Sequence, residues 1–321
     1  MPELPEVENL RRGLEKFILE QKIKNVKVTK PKIVSGKGTL RVASPKKVSE
    51  FIKGITGEKF IAVERRAKNL IFRLSHDKLI LGHLKMTGQF VYLPKQNRAR
   101  NFSSDKMVTT RGTRKNSSPV ETVFGGHPIE ISETTLPNKH SHIIFELEKG
   151  TLYYNDTRMF GYVVYYPTLE SFEAENHFGN LGVEPLDKSF TVKYFEEMLK
   201  NKKGKIKALL LGQDIVTGVG NIYADESLFE AGIRPDRTGM SLKKDEVARL
   251  HKAIVRIIKR AIAVGGSSVA TYRLIDDSRG NYAREHKVYG KEGKPCSNCK
   301  TPLKKMLIQN RTTIFCPKCQ K

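Results

Sequence analysis

Four cysteines near the end of the chain have the residue type and the spacing of a metal site. Cys296 and Cys299 form one CxxC pair, and Cys316 and Cys319 form another. Two such pairs suit tetrahedral zinc, because each short turn presents two adjacent sulfur ligands. A pair of redox-active CxxC motifs is the alternative, but neither pair lies in the strand–helix–strand context typical of that chemistry. With all four positions filled by protein, we expect one structural zinc ion without an open coordination site.

A glycine-bearing connection between two predicted helices is a second candidate site. Gly218 and Gly220 directly precede the second of these helices, whose first backbone N–H groups lack partners within the helix. Such a helix end can bind phosphate, and glycine lets the backbone approach closely. Ordinary turn geometry is the alternative reading of these glycines. Nearby basic residues favour phosphate binding, because each positive charge adds to the neutralisation of the phosphates. These residues are Lys202, Lys203, Lys205 and Lys207.

The charge of the whole chain indicates a polyanionic partner. Its 321 residues include 58 Lys and Arg but only 34 Asp and Glu, which gives a formal net charge of +24. Nucleic acid fits this excess best. An anionic membrane surface is the alternative, but the sequence has neither a long basic amphipathic helix nor an apolar run that could span a bilayer. The acidic, proline-bearing start is unlike a signal peptide, so we expect a cytoplasmic protein, nucleoid-associated in a bacterium, with reduced cysteines.

The elements that must position these residues begin with a helix and a series of strands. Apolar residues at three- and four-residue steps predict a helix from about Pro5. Short apolar runs separated by turn residues then predict an antiparallel sandwich or barrel. These runs are Ile23–Val28, Lys59–Val63, Leu70–Leu74, Leu79–Leu84, Phe90–Leu93, His142–Glu146, Thr151–Tyr154 and Tyr162–Tyr166. The polar, basic stretch 95–136 interrupts them, and we predict that it is a mobile insertion.

After Pro185 the pattern becomes helical. The predicted helices are Phe190–Leu199, Ile206–Leu211, Ile222–Ala231, which Gly232 caps, and Lys243–Ala263. In the tail, Met306–Ile308 and Thr312–Phe315 are predicted strands, with residues 309–311 at or near their tip. The fold class is therefore α+β and multidomain: an antiparallel β-sandwich or barrel with flanking helices over 1–167, a linker over 168–188, a helical domain over 189–286, and a four-cysteine zinc finger over 287–321.

Four separated segments resemble the formamidopyrimidine-DNA glycosylase and endonuclease VIII family. They are Met-Pro-Glu-Leu-Pro-Glu-Val-Glu at 1–8, residues 216–224, residues 155–161, and residues 288–290 before the cysteines; the runs 65–68 and 83–88 match as well. The likeness covers nearly the whole chain apart from the insertion. It implies that 1–167 is a β-sandwich and catalytic, that 189–286 is a helix-two-turn-helix DNA-binding domain with a lesion-recognition loop at 265–286, and that the finger grips DNA.

The same resemblance implies a chemistry for the N-terminus. Removal of Met1 would make Pro2 a terminal secondary amine, and an α-amino group titrates near ~8 against ~10.4 for lysine, so more of it is neutral at pH 7. Its addition to the sugar C1′ gives an iminium, which acidifies the C2′ proton and promotes elimination of phosphate. Glu3 is the implied proton donor and Glu6 a supporting carboxylate. The residues alone leave open that Pro2 and Glu3 merely begin a capped helix.

Contacts with damaged duplex DNA are implied in the same way. Lys68 and Arg311 are expected beside the phosphates of the lesion as further catalytic residues. Because the damaged base must leave the stack, its place must be filled. Met86, Arg158 and Phe160 match the void-filling set of the family. The other implied DNA-binding residues are His83, Lys207, Asn221 and Tyr289.

We therefore expect a bifunctional glycosylase and AP lyase of base-excision repair, acting as a monomer on double-stranded DNA. Residues 265–290 have the length and the Gly-Gly-Ser-Ser start of the branch that removes oxidised purines and cleaves by β,δ-elimination. Ala270 and Ala283 depart from that branch, so an enzyme for oxidised pyrimidines stays open. A non-catalytic zinc-finger DNA-binding protein would explain the charge and the cysteines, but not Pro2 and Glu3 together with Lys68.

Overall fold

The computed structural model of the chain describes residues 1–38, 41–95, 123–126, 136–267 and 280–321. The predicted insertion at 95–136 therefore lies largely outside the described residues, and so does the part of the predicted lesion-recognition loop that contains Ala270. Within the insertion a strand at Val123–Gly126 is described. The sequence did not predict that strand.

The N-terminal part is an antiparallel sandwich, as predicted. Its strands are β1 (Ile23–Val28), β2 (Phe60–Arg66), β3 (Asn69–Leu74), β4 (Leu79–His83), β5 (Gly88–Pro94), β6 (Val123–Gly126), β7 (Ser141–Leu147), β8 (Gly150–Asp156) and β9 (Tyr162–Tyr166). One sheet has the order β1-β7-β8-β5-β6 and the other β2-β3-β4-β9. Aromatic rings of Phe60, Phe72, Phe90 and Phe145 fill the space between them, with centroids 5.4 to 6.4 Å apart. These buried rings lie on the inner faces of the two sheets, and a shift of register by one residue would move them out of the core.

Helices flank the sandwich and build the second domain. They are α1 (Leu4–Ile18), α2 (Pro45–Ile55), α3 (Leu169–Ala174), α4 (Val192–Leu199), α5 (Ile206–Leu211), α6 (Asn221–Ala231), α7 (Lys244–Ala263) and α8 (Tyr282–Glu285). Helix α6 ends at Gly232 in the left-handed conformation (φ 72°), the predicted glycine cap. None of the helices in the described ranges is both long enough and apolar enough to cross a membrane.

Helix α1 belongs to two hydrophobic cores. Leu4, at its start, packs into the core of the helical domain, and its backbone N–H donates to Gly218 O at 3.0 Å. Val7, Leu10 and Leu14 pack into the core of the sandwich. The beginning of the chain is therefore held at the junction of the two domains.

The C-terminal strands β10 (Lys304–Ile308) and β11 (Arg311–Phe315) form a tight hairpin. Gln309 and Asn310 both have positive φ (48° and 58°), as a two-residue type I′ turn requires. Ile308 pairs with Arg311, so the arginine is the first residue after the turn and its side chain is exposed.

Candidate active site

A cavity of about 540 Å³ lies where the sandwich, the helical domain and the C-terminal hairpin meet. All of the residues predicted to be catalytic or supporting line it, together with three of the predicted DNA-binding residues. The set is Pro2, Glu3, Glu6, Lys68, Met86, Asn221, Tyr289 and Arg311. Residues that are distant in the sequence therefore share one cavity.

Glu3 occupies the N-terminus of helix α6. Its carboxylate accepts hydrogen bonds from the backbone N–H groups of Gly220 (2.9 Å), Ile222 (3.0 Å) and Tyr223 (3.4 Å). A Cβ at residue 220 would collide with the Glu3 carboxyl group, so this close approach requires glycine. The sequence suggested phosphate at this helix end. In the structure the anion there is a side chain of the protein itself.

Burial raises the pKa of Glu3 to about 7. The positive charge of Lys68 acts in the opposite direction, Glu6 adds to the increase, and the N–H groups of Ile222 and Tyr223 lower the pKa. A carboxyl group with a pKa near neutral can both hold a proton and release it at physiological pH. This is the property required of a general acid.

Glu6 connects Glu3 to two further elements. Its Oε2 accepts from Glu3 N at 2.9 Å, and its Oε1 accepts from Tyr223 Oη at 2.5 Å and from Ser267 N at 2.7 Å. Glu6 is buried, and this burial raises its pKa. Sequence reasoning missed Tyr223 and Ser267, although both lie in segments that it had singled out.

The N-terminal amine and Lys68 share this environment. Pro2 is buried, while Met1 is 46% exposed at the cavity. Burial lowers the pKa of the Met1 α-amino group. The carboxylates of Glu3 and Glu6 oppose this decrease, and the positive charges of Lys68 and Arg311 add to it. Lys68 Nζ donates to Val219 O at 3.1 Å, and burial lowers the pKa of this lysine as well. The site therefore favours the uncharged form of the α-amino group.

Three predicted void-filling side chains lie together beside the cavity. The guanidinium carbon of Arg158 is 4.6 Å from the centroid of the Phe160 ring, and its Nη1 is 3.4 Å from Met86 Sδ. Met86 is 40% exposed. The thioether and the guanidinium are exposed and the ring is half-buried, so the cluster is available to enter a base stack.

His83 is not among the cavity residues. Its Nδ1 accepts from Lys85 N at 2.9 Å, and its ring lies 5.6 Å from that of Tyr162. Burial lowers the pKa of His83 to about 3, so the ring is neutral and carries its proton on Nε2.

Lys207 does not lie where the sequence had suggested. The side chain is fully buried, with Nζ 2.7 Å from Asp225 Oδ1, and it donates to Thr312 O (3.1 Å) and Thr313 Oγ1 (2.8 Å). It joins helix α5 to α6 and to strand β11, and in this structure its side chain is not exposed to the cavity. The phosphate contact of Lys207 stays a prediction, and the structure shows a buried ion pair instead of an open lysine.

Asn221 and Tyr289 do face the cavity. Asn221 Nδ2 donates to Thr312 O at 3.1 Å, while its Oδ1 has no partner in the described residues. The backbone N–H of Tyr289 donates to Glu226 Oε1 at 2.8 Å. Both residues are thus held by contacts between helix α6 and the C-terminal segment.

The four cysteines form one cluster at the base of the hairpin. Their sulfur atoms all lie within 4.8 Å of one another, with Cys299–Cys316 at 3.5 Å and Cys296–Cys319 at 3.9 Å, and all four are free thiols. Tetrahedral zinc with Zn–S bonds of about 2.3 Å places its sulfurs about 3.8 Å apart. The cluster can therefore hold a metal ion such as zinc.

Comparison with known proteins identifies the class. Residues 1–163 match the N-terminal domain of formamidopyrimidine-DNA glycosylase, and residues 181–273 match the H2TH domain of the same enzyme. The formamidopyrimidine-DNA glycosylase of Desulfitobacterium hafniense is 34% identical over 320 residues, which cover all of both chains.

Solved structures agree with these matches. A Lactococcus lactis Fpg variant in complex with Fapy-dG containing DNA covers all of both chains, with a TM-score of 0.79 and 32% identity. Wild-type Lactococcus lactis Fpg with an oxidised pyrimidine containing DNA also covers all of both chains, with a TM-score of 0.77 and 31% identity. Fold and site thus define a DNA repair glycosylase. The chain belongs to the formamidopyrimidine-DNA glycosylase family.

Proposed function

We propose that this protein is a bifunctional glycosylase and AP lyase that removes oxidised purines from double-stranded DNA. The observation that carries the proposal is the meeting of the N-terminus with Glu3, Lys68 and Arg311 at one cavity. A Lactococcus lactis relative binds Fapy-dG containing DNA, which supports a purine lesion as substrate. Once Met1 is removed, the amine of Pro2 is the nucleophile.

The first stage replaces the bond between the sugar and the base by a bond to Pro2. The amine lone pair attacks C1′, the C1′–base bond breaks, and the departing base takes a proton from Glu3. Opening of the sugar ring, with O4′ accepting the proton of the amine, leaves an iminium between Pro2 and C1′. Burial lowers the pKa of the Met1 α-amino group in this structure, and the same buried surroundings support an uncharged Pro2 amine, the form that can attack, once Met1 is removed.

The second stage breaks the DNA strand. The iminium cation withdraws electrons from C1′, so the C2′ proton passes to water and the 3′ phosphate is expelled. A second elimination transfers the C4′ proton to water and expels the 5′ phosphate. In this proposal Lys68 and Arg311 lie beside these phosphates and stabilise the leaving charge. Their position around the cavity, one buried and one at the tip of the hairpin, supports the assignment.

We propose that zinc occupies the four-cysteine cluster. The distances between the sulfur atoms support this assignment, and four thiolates leave no coordination position for substrate. Bound zinc would supply folding free energy to the hairpin. Its effect on DNA would be indirect, because the hairpin presents Arg311 at the cavity.

Reductive trapping tests the nucleophile. Borohydride should reduce the iminium and cross-link the protein to a duplex that contains 8-oxoguanine or an abasic site, and the adduct should map to Pro2. Pro2→Gly should lower trapping and strand cleavage sharply. Pro5→Ala, a change in the first turn of α1, is the matched control and should have a much smaller effect. Undiminished trapping in the Pro2 variant, mapped to a lysine, would refute the mechanism.

A glycosylase for oxidised pyrimidines is the second candidate function. The complex of a Lactococcus lactis relative with an oxidised pyrimidine containing DNA supports this second candidate. Single-turnover excision of 8-oxoguanine and of an oxidised pyrimidine from otherwise identical duplexes separates the two. Faster excision of the pyrimidine would reverse the substrate assignment and leave the Pro2 mechanism intact.

A further inference from the structure

The turn between strands β8 and β9 carries Arg158 and Phe160 and joins the two sheets. Asp156, fully buried at its start, holds both ends: Oδ1 accepts from Arg158 N at 3.2 Å and Oδ2 accepts from Gly161 N at 2.8 Å. Between these anchors Met159 has a φ of +53°. Residues other than glycine rarely adopt this backbone conformation, so we expect a further contact to stabilise the middle of the turn.

Arg41 makes that contact. Its Nη2 donates to the carbonyl oxygen of Met159 at 2.9 Å, across 118 residues of sequence. The guanidinium also lies 5.9 Å from the centroid of the Tyr162 ring, the first residue of β9. Its contacts therefore converge on the turn and on the strand that follows it.

The burial of Arg41 is costly for the fold. The residue is 8% exposed, its Nε and Nη1 have no hydrogen-bond partner, and it has no ion pair in the described part of the chain. A buried cation with unsatisfied donors destabilises a protein unless its remaining contacts compensate. An apolar residue of similar length would fill the same space without that cost. Packing alone therefore does not account for an arginine at this position.

We propose that Arg41 is a positioning residue, which fixes the peptide between Met159 and Phe160 and so aims the Phe160 ring at the base stack. The inference rests on the proposed void-filling role of Phe160. A ring that must enter a stack of bases performs best when its direction is set before contact. In the free protein the Met159 side chain packs against the core of the sandwich, and the bond from Arg41 fixes the carbonyl of the peptide that leads into Phe160, while Asp156 restrains the ends of the turn.

Arg41→Met tests the proposal, because it removes the donors and keeps an unbranched side chain. A duplex with 2-aminopurine beside 8-oxoguanine reports base eversion in a stopped-flow experiment, and nicking of a preformed abasic site reports the later chemistry. Eversion and excision should slow about tenfold, as expected for loss of a charge-assisted hydrogen bond. Nicking of the abasic site should stay within about twofold of the wild type, because there is no base to evert.

Two further variants separate positioning from a general structural role. Arg41→Lys keeps one donor and should restore part of the eversion rate. Arg73→Met removes an arginine from β3 that pairs with Glu64 and is 40% exposed; it is the matched control and should leave eversion unchanged. If Arg41 acts through Phe160, Arg41→Met should add little to the defect of Phe160→Ala.

The possible results are distinct. Equal loss of eversion and nicking, or an effect fully additive with that of Phe160→Ala, would overturn the proposal and make Arg41 a structural residue. Normal eversion in Arg41→Met with slow eversion in Phe160→Ala would overturn the role of Arg41 alone. Normal eversion in Phe160→Ala would overturn the void-filling assignment as well. Trapping at Pro2 tests the rest of the proposed function independently.

Discussion

Replacement of Glu3 by glutamine should change the pH dependence of stability in a definite direction. Burial raises the pKa of Glu3 from 4.5 to about 7 in the folded protein. Between these values the folded state keeps a proton that the unfolded state has lost. The stability associated with the protonated side chain is therefore present below pH 4.5 and is lost as the pH rises through 7. A glutamine cannot ionise, so Glu3→Gln lacks this loss.

The magnitude follows from the same two values. A pKa difference of this size corresponds to about 3 kcal/mol in the free energy of unfolding, of which about 2.5 kcal/mol falls between pH 5 and pH 8. The new amide also faces the N–H groups of Gly220, Ile222 and Tyr223, and an amide nitrogen cannot accept from them. That cost is the same at both pH values. It cancels when the stability difference between variant and wild type is compared at pH 5 and at pH 8.

Urea titrations of both proteins at pH 5 and pH 8 measure this comparison. The free energy of unfolding of Glu3→Gln, relative to that of the wild type, should be about 2–3 kcal/mol higher at pH 8 than at pH 5. Glu246→Gln is the control, because its partner Arg237 lowers the pKa of Glu246 to about 2, and its stability difference should be constant over this range. A difference for Glu3→Gln that does not change with pH would refute the assignment of Glu3 as a buried acid that holds its proton near neutral pH.

Three other predictions concern activity. The single-turnover rate of base excision should fall about tenfold per pH unit well above pH 7, because Glu3 loses its proton there. If Glu3→Gln shows the same fall in rate at high pH, another group is responsible for it. The purified protein should contain one zinc by elemental analysis, and Cys316→Ser should lower both zinc content and DNA affinity; a disulfide in protein purified under reducing conditions would contradict this. Phe160→Ala should slow excision of 8-oxoguanine far more than nicking of an abasic site, and equal losses in the two assays would identify the ring as a packing residue.

The sequence predicted the elements whose signals are local. Short apolar runs separated by turn residues located most strands of the sandwich to within a few residues, and helical spacing located α5 and α7. The cysteine spacing predicted the cluster, because two CxxC turns can bring four sulfurs together. Helix α2 was missed, although Ser44 caps it and Phe51 and Ile55 are buried at helical spacing, because its many lysines hide a short apolar stripe.

The partners of the site residues could not be predicted in this way. Lys207 and Lys68 are both lysines in basic surroundings, yet one forms a buried ion pair with Asp225 and the other lines the cavity. The choice depends on which helix lies opposite, and that is a tertiary property. The same holds for the N-terminus of α6, which looked like a phosphate site until the fold placed Glu3 against it. Arg41 carried no local signal, because its partner Met159 lies far along the chain.

Helix α6 connects the hairpin of the cysteine cluster to Glu3. Its first turn donates to Glu3, and the following turn holds the hairpin through Asp225, which accepts from Ile314 N at 3.1 Å. Glu226 beside it accepts from the backbone N–H groups of residues 287–289. Removal of metal from the cysteine cluster should therefore loosen the contact between α6 and Glu3 from a distance, and faster hydrogen exchange at the Ile222 amide would reveal it.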